Sequence, residues 1–155
     1  MSKICLLVIS NSGCKENHLL KEEIESQISD AGYATFFQPE YYEPLLNHYS
    51  KNTLICSIAD NNSFDNCEML WLPDDCSFNG RKNTSLFFDR MSALSNSFSH
   101  IIKHTGQLEL FVGYSGSEYE DFTHIRIKCS EFAHIADCYL NDATAFTDLH
   151  IVITA

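Results

Sequence analysis

Hydrophobic residues follow one another without interruption near the start of the chain. Residues 4–9 read Ile-Cys-Leu-Leu-Val-Ile, and a continuous apolar run of this length is typical of a strand that is covered on both faces. The pattern therefore predicts a strand in the centre of a sheet. A helix is predicted over residues 15–30, ended by Gly32. One stripe of this helix carries Leu20, Ile24, Gln27 and Ala31.

Two further helices are predicted from the spacing of apolar residues. Residues 85–103 have large apolar side chains three and four positions apart, which predicts a helix with one buried face, and Gly106 follows as its stop. Residues 130–140 predict a shorter third helix with Ser130 as its N-cap and Glu131 in its first turn. A fourth, short helix is possible over residues 43–49.

Strands account for most of the remaining apolar segments. They are predicted over residues 33–37, 53–59, 68–72, 108–112, 122–128 and 149–153. In the segment 122–128, apolar and polar residues alternate. This alternation places His124, Arg126 and Lys128 on a face in contact with water.

The order of these elements predicts a single domain over residues 1–155. It is neither a strict β-α alternation nor a block of strands followed by a block of helices, so we expect a fold in the α/β to α+β range. Its centre would be a mixed β-sheet with about three helices packed on it. Residues 60–82 are otherwise rich in Asn, Asp, Ser and Cys and contain the turn signal Asn79-Gly80, so they predict irregular or hairpin structure.

The net charge of the chain indicates the kind of partner it binds, but it does not indicate a reaction that the chain catalyses. The 155 residues include 21 Asp and Glu but 10 Lys and Arg, a formal net charge of −11. A chain this acidic repels nucleic acid and favours a basic partner. Direct binding of nucleic acid is therefore not expected.

Two irregular segments, 38–44 and 113–122, combine acidic residues with tyrosines. Tyrosines surrounded by carboxylates are typical of a binding surface, because the rings supply desolvated contacts and the carboxylates pair with Lys and Arg. The alternative interpretation is solvated acidic loops beside core aromatics. The predicted partner-binding residues are Glu40, Tyr41, Tyr42, Glu43, Asp74, Asp75, Tyr114, Glu118, Tyr119, Glu120 and Asp121.

Cysteine usage indicates a reducing compartment. The seven cysteines include no C-x-x-C pair and have no regular spacing, so we expect free thiols and a cytoplasmic protein. We expect no metal site, because His100 and His104 lack a third ligand in sequence and Cys67 and Cys76 lack a second pair. We also expect no cofactor and no membrane segment.

Catalytic signatures are weak. Cys14 follows the first strand at the start of a helix, where a thiol can become a nucleophile, but position 20 is Leu20 rather than the arginine of cysteine phosphatases. The other histidines are scattered and could meet only in three dimensions. They are His18, His48, His124, His134 and His150.

A small, strongly acidic domain with acid-and-tyrosine loops resembles the immunity proteins that bacteria pair with polymorphic or contact-dependent growth-inhibition toxins. The resemblance implies a non-catalytic inhibitor that binds one basic toxin domain, often a nuclease, and covers its active site or an exosite. Two alternatives stay open. One is a small hydrolase or transferase that uses Cys14 or a histidine. The other is a homo-oligomeric structural or regulatory subunit with a self-interface of Tyr41, Trp71 and Phe122.

Overall fold

Six strands and three α-helices make up the described part of the chain. The computed structural model describes residues 3–11, 13, 15–37, 47–49, 52–60, 84–114, 117–140 and 148–155. The strands are β1 (Lys3–Ser10), β2 (Tyr33–Phe36), β3 (Thr53–Asp60), β4 (Gln107–Tyr114), β5 (Thr123–Lys128) and β6 (Leu149–Thr154). The α-helices are α1 (Asn17–Asp30), α2 (Thr84–Thr105) and α3 (Phe132–Leu140), and short 3-10 helices span Tyr119–Asp121 and Cys129–Glu131.

The strands form one mixed sheet in the order β2-β3-β1-β4-β6-β5. Neighbouring strands are antiparallel except for β5 and β6, which are parallel. β1 lies inside the sheet, and its residues from Cys5 to Ile9 are all buried, as the uninterrupted apolar run predicts. The mixed six-stranded sheet with three helices confirms the predicted fold as a single α+β domain.

Alternate residues of β1 contribute to two separate hydrophobic clusters. Cys5, Leu7 and Ile9 belong to the main core together with the buried faces of α1, α2 and α3. Leu6 and Val8 belong to a smaller cluster on the opposite side of the sheet. We call this opposite side the second face, and aromatic rings rather than the three helices contribute to its packing.

The ends of the helices depend on specific residues. Gly32 and Gly106 both have positive φ angles, 88° and 84°, which an L-residue with a side chain adopts only at a cost, so both predicted stops are confirmed. The third helix differs from the prediction. Ser130 is not its cap, because the chain first makes the 3-10 helix Cys129–Glu131, and the Glu131 carboxylate accepts the Lys128 N–H at 3.0 Å.

Fewer predictions can be compared with the structure in the middle of the chain. Residues 47–49 form a turn, and the rest of the possible short helix, 43–46, lies outside the described residues, as does the predicted strand 68–72. The other predicted strands are present with ends shifted by at most two residues. None of the helices in the described segments has the length and apolar content that crossing a bilayer requires.

Two phenylalanines of α2 allow a matched test of the core. Phe98 is fully buried and its ring meets Phe132 of α3 edge to face at 5.1 Å, whereas Phe88 is 45% exposed. We expect Phe98→Ala to lower the free energy of unfolding by about 3–5 kcal/mol, because it leaves a cavity between α2 and α3. Phe88→Ala should cost less than about 1 kcal/mol. Denaturant unfolding measures both, and similar losses would contradict the placement of the core.

Candidate functional site

Three titratable side chains form a hydrogen-bonded chain on the second face. His150 Nε2 lies 2.8 Å from Glu109 Oε1, and His150 Nδ1 lies 2.7 Å from His124 Nδ1. His150 is buried, Glu109 is largely buried and His124 is exposed. The chain therefore runs from a shielded carboxylate to an imidazole that reaches solvent.

Strand register brings these residues together. His124 of β5 is paired with His150 of β6, and His150 is paired in turn with Phe111 of β4. Glu109 lies two residues before Phe111 and so projects from the same face of β4. The three side chains come from three adjacent strands and need no flexible loop to hold them in place.

Tyr49 supplies a second hydrogen bond to the carboxylate. Its hydroxyl donates to Glu109 Oε1 at 2.9 Å from the turn at residues 47–49. Burial, followed by the negative charge of Glu109, raises the pKa of Tyr49 well above its ordinary value. Tyr49 is thus a hydrogen-bond donor at neutral pH. We call Tyr49, Glu109, His124 and His150 the His–Glu cluster.

Aromatic rings enclose the His–Glu cluster. Phe111 stacks on His150 with ring centroids 4.2 Å apart and planes 11° apart. The Tyr119 ring lies 4.6 Å from His124 and 5.5 Å from His150. The His48 ring stacks in turn on the Tyr119 ring, with centroids 4.1 Å apart. These rings limit the rotation of both imidazoles in the His–Glu cluster.

Contacts around Gly113 fix the segment that carries Tyr119. Ser117 donates to the Asp148 carboxylate at 2.7 Å, and the Thr123 N–H donates to the Asp148 carbonyl at 2.9 Å. A Cβ at Gly113 would lie 2.5 Å from Asp148 Oδ1 and 2.8 Å from the Phe122 ring. Glycine at this position therefore lets the segment close onto β4.

The need for one donor and one acceptor in each hydrogen bond decides which ring nitrogens of His150 and His124 carry protons. An ionised Glu109 only accepts hydrogen bonds, so His150 carries a proton on Nε2. When His150 is neutral, its Nδ1 accepts a hydrogen bond from the N–H of His124 Nδ1. The remaining ring nitrogen, His124 Nε2, is then free to accept or, when protonated, to donate. A carboxylate that orients an imidazole in this way is an arrangement suited to acid–base chemistry.

Four predicted partner-binding residues lie next to the His–Glu cluster. They are Glu118, Tyr119, Glu120 and Asp121, in the 3-10 helix Tyr119–Asp121 and at its N-cap. Glu118 and Asp121 cap this short helix, and the Asp121 carboxylate accepts the Glu118 N–H at 2.8 Å. Glu120 is exposed, with His48 Nε2 at 3.7 Å.

The other predicted partner-binding residues are less informative. Tyr114 ends β4. Six lie outside the described residues, and the structure places none of them. These are Glu40, Tyr41, Tyr42, Glu43, Asp74 and Asp75.

Of the described candidates, neither Phe122 nor His104 joins the His–Glu cluster. Phe122, proposed for a self-interface, is buried against Phe111 inside the chain, while Tyr41, Trp71 and Cys14 lie outside the described residues. Burial raises the pKa of the Cys5, Cys56 and Cys129 thiols, which disfavours the reactive thiolate. His104 pairs with Glu23 at 3.1 Å.

Metal ligation finds no support in the part of the chain that the structure describes. No group of three or more His, Cys, Asp or Glu side chains there could hold a metal ion. The 2.7 Å separation of the two Nδ1 atoms is a hydrogen-bond distance.

Glu109 and Tyr49 are the functional candidates that sequence reasoning missed. Glu109 stands in an otherwise apolar strand, LELFV, and an acidic residue at an expected buried position was the signal available. Tyr49 gave no comparable signal. The pairing of His124 with His150 requires the strand order, which the sequence alone did not specify.

Comparison with known proteins found no match for this chain among protein-family models, curated proteins or solved structures. Function is therefore inferred from the residues themselves.

Replacing Tyr49 tests the His–Glu cluster. Tyr49→Phe removes a donor to a largely buried carboxylate, and we expect the free energy of unfolding at pH 7 to fall by about 1–2 kcal/mol. The folded-state pKa of Tyr49 is raised, so the wild-type protein should also lose stability as the pH rises above about 10, where the unfolded chain releases this proton. The variant should lack this part of the pH dependence.

Denaturant unfolding at pH 7 and at a series of pH values above about 10 measures both effects. Tyr139→Phe, at an exposed position of α3, is the matched control and should change neither quantity. A Tyr49→Phe variant with the stability and the alkaline slope of the wild type would show that the hydrogen bond to Glu109 contributes nothing.

Proposed function

We propose that this chain is an inhibitory binding protein of the immunity type, which acts in the cytosol and neutralises one basic toxin domain. The observation that carries the proposal is the exposed acidic turn of Glu118, Glu120 and Asp121, in a chain whose formal net charge is −11. A surface of this charge complements the cationic cleft with which a nuclease holds a phosphate backbone.

The geometry of the turn favours recognition of Lys and Arg. Its backbone is held by the Glu118–Asp121 cap and by the contacts of Asp148. Carboxylates on a fixed backbone lose less conformational entropy on binding than carboxylates on a free loop. Glu120 projects into solvent with 71% of its side chain exposed and is the residue best placed to meet a partner.

The expected mechanism is electrostatic occlusion. Long-range attraction speeds the encounter, and carboxylates then take the places of substrate phosphates in the cleft of the toxin. Such a complex forms rapidly at low ionic strength and more slowly as salt is added. One copy of the inhibitor per toxin domain is sufficient.

Co-purification tests the proposal directly. The chain is used to capture proteins from extract of its source cells, and it is co-expressed with the product of the neighbouring upstream reading frame, at low and at high salt. We expect stoichiometric capture of a basic protein whose toxicity co-expression relieves. Capture of no protein other than the chain itself would contradict the inhibitor proposal.

Charge reversal at Glu120 tests the location of the binding surface. Glu120→Lys leaves the Glu118–Asp121 cap in place, and we expect it to slow association with the captured partner by roughly threefold to tenfold at low salt. The control is Glu22→Lys, an exposed position of α1 that changes net charge by the same amount. Stopped-flow or surface-based kinetics measure both variants, and equal slowing would reject the acidic turn as the contact site.

A further inference from the structure

β5 places three nitrogen-bearing side chains in a row beside the His–Glu cluster. His124, Arg126 and Lys128 alternate with inward-facing Ile125 and Ile127, and all three are exposed. Their register puts them on the second face, since His124 is paired with His150. The row therefore begins at the solvent end of the Glu109–His150–His124 chain.

The charges of Arg126 and Lys128 are not paired within the part of the chain that the structure describes. No carboxylate of the described residues forms a salt bridge with either side chain. Positive charge on an outer strand can protect a sheet edge from aggregation, but edge protection does not account for a buried imidazole that orients His124. The combination requires a different explanation.

The spacing of the row suits a small tetrahedral anion. Alternate residues of a strand lie about 6.6 Å apart at the backbone, and the long Arg and Lys side chains span that distance with ease. The guanidinium of Arg126 can bind two oxygens of one group in parallel, and the ammonium of Lys128 can bind a third. His124 would approach the same group through Nε2.

The proton arrangement adds chemical selectivity. Because His124 Nδ1 is engaged by His150, the contact with an anion falls to Nε2. A hydrogen bond between Nε2 and an anion oxygen needs one proton. When His124 is neutral and donates from Nδ1 to His150, the ligand must supply that proton. A phosphate monoester has a second pKa of about 6 and carries such a proton readily. A sulfate does not.

We propose that His124, Arg126 and Lys128 form a binding site for the phosphate group of a small phosphate monoester. The ligand is small because the net charge of −11 opposes a long polyanion such as a nucleic acid, whereas the local charge of β5 is sufficient for one phosphate group. Among the nearby acids, Glu131 accepts the Lys128 N–H and Asp121 accepts the Glu118 N–H, each at the start of its own 3-10 helix. Glu120 faces His48.

This site does not depend on the inhibitor proposal. It is a binding site on the same face, defined by β5 rather than by the acidic turn. Each proposal can fail while the other holds, because the ligand experiments use no protein partner.

Titration with phenyl phosphate tests the site. Isothermal titration calorimetry gives the affinity, and the side-chain nitrogen resonances of ¹⁵N-labelled histidine report the contact. We expect saturable binding of one equivalent, with the largest shift at His124 Nε2. Inorganic phosphate should bind at the same place, and phenyl sulfate should bind at least about tenfold more weakly, because it lacks the shared proton.

Matched variants separate the site from general surface charge. Arg126→Gln and His124→Gln each change an exposed side chain, and each should weaken phenyl phosphate by roughly tenfold or more. The controls are Lys103→Gln and His134→Gln, exposed positions of α2 and α3, which should leave the affinity within about twofold. Amide spectra of the variants establish that each one is folded.

Three results would overturn the proposal. The first is absence of saturable binding by the wild-type protein. The second is binding of phenyl sulfate as tight as that of phenyl phosphate, which would indicate attraction of any anion to the basic strand. The third is equal weakening by Arg126→Gln and its control Lys103→Gln, which would place the ligand elsewhere.

Discussion

β1 is apolar at each position from Cys5 to Ile9, and its side chains alternate between the two faces of the sheet. Both faces must therefore be covered if all of these side chains are to be buried. The helices cover the side that carries Cys5, Leu7 and Ile9. On the other side, Leu6 and Val8 pack in a cluster with aromatic rings. The second face therefore differs from the helix-covered face in one respect that matters for function. It is packed with individual side chains and short segments, and these can carry polar atoms.

Glu109 is the polar group around which this cover is arranged. It is paired across the sheet with Val8 of β1, and a carboxylate at such a position is costly unless donors satisfy it. Tyr49 and His150 both donate to it. The hydrogen bond from Tyr49 links the turn at residues 47–49 to the sheet, while the one from His150 sets the orientation of His124. The same carboxylate thus contributes to the packing of the second face and to the chemistry at its exposed end.

Local patterns predicted the elements well, and the places where they failed have physical causes. The apolar run of β1, the glycine stops at Gly32 and Gly106 and the alternation of β5 depend on neighbouring residues, so the sequence contains them. The predicted start of α3 was wrong because residues Cys129–Glu131 form a 3-10 helix, and Ser130 lies inside it rather than at an N-cap. The His–Glu cluster depends on strand order and register, which long-range packing decides, so no local pattern could bring His124 next to His150.

Tyr119 lies where the two proposed functions meet. Its neighbours in the acidic turn carry the negative charge expected to attract a basic partner, while its own ring rests on His124 and His150. The acidic turn and the β5 row therefore both begin next to Tyr119, close enough for electrostatic coupling. A protein that docks on Glu120 would approach His124 from the same side of the sheet. Occupation of the β5 row by a phosphate group would then add negative charge beside the acidic turn and strengthen its attraction for a basic surface, so the two sites would bind cooperatively rather than compete, provided that the partner leaves the row uncovered.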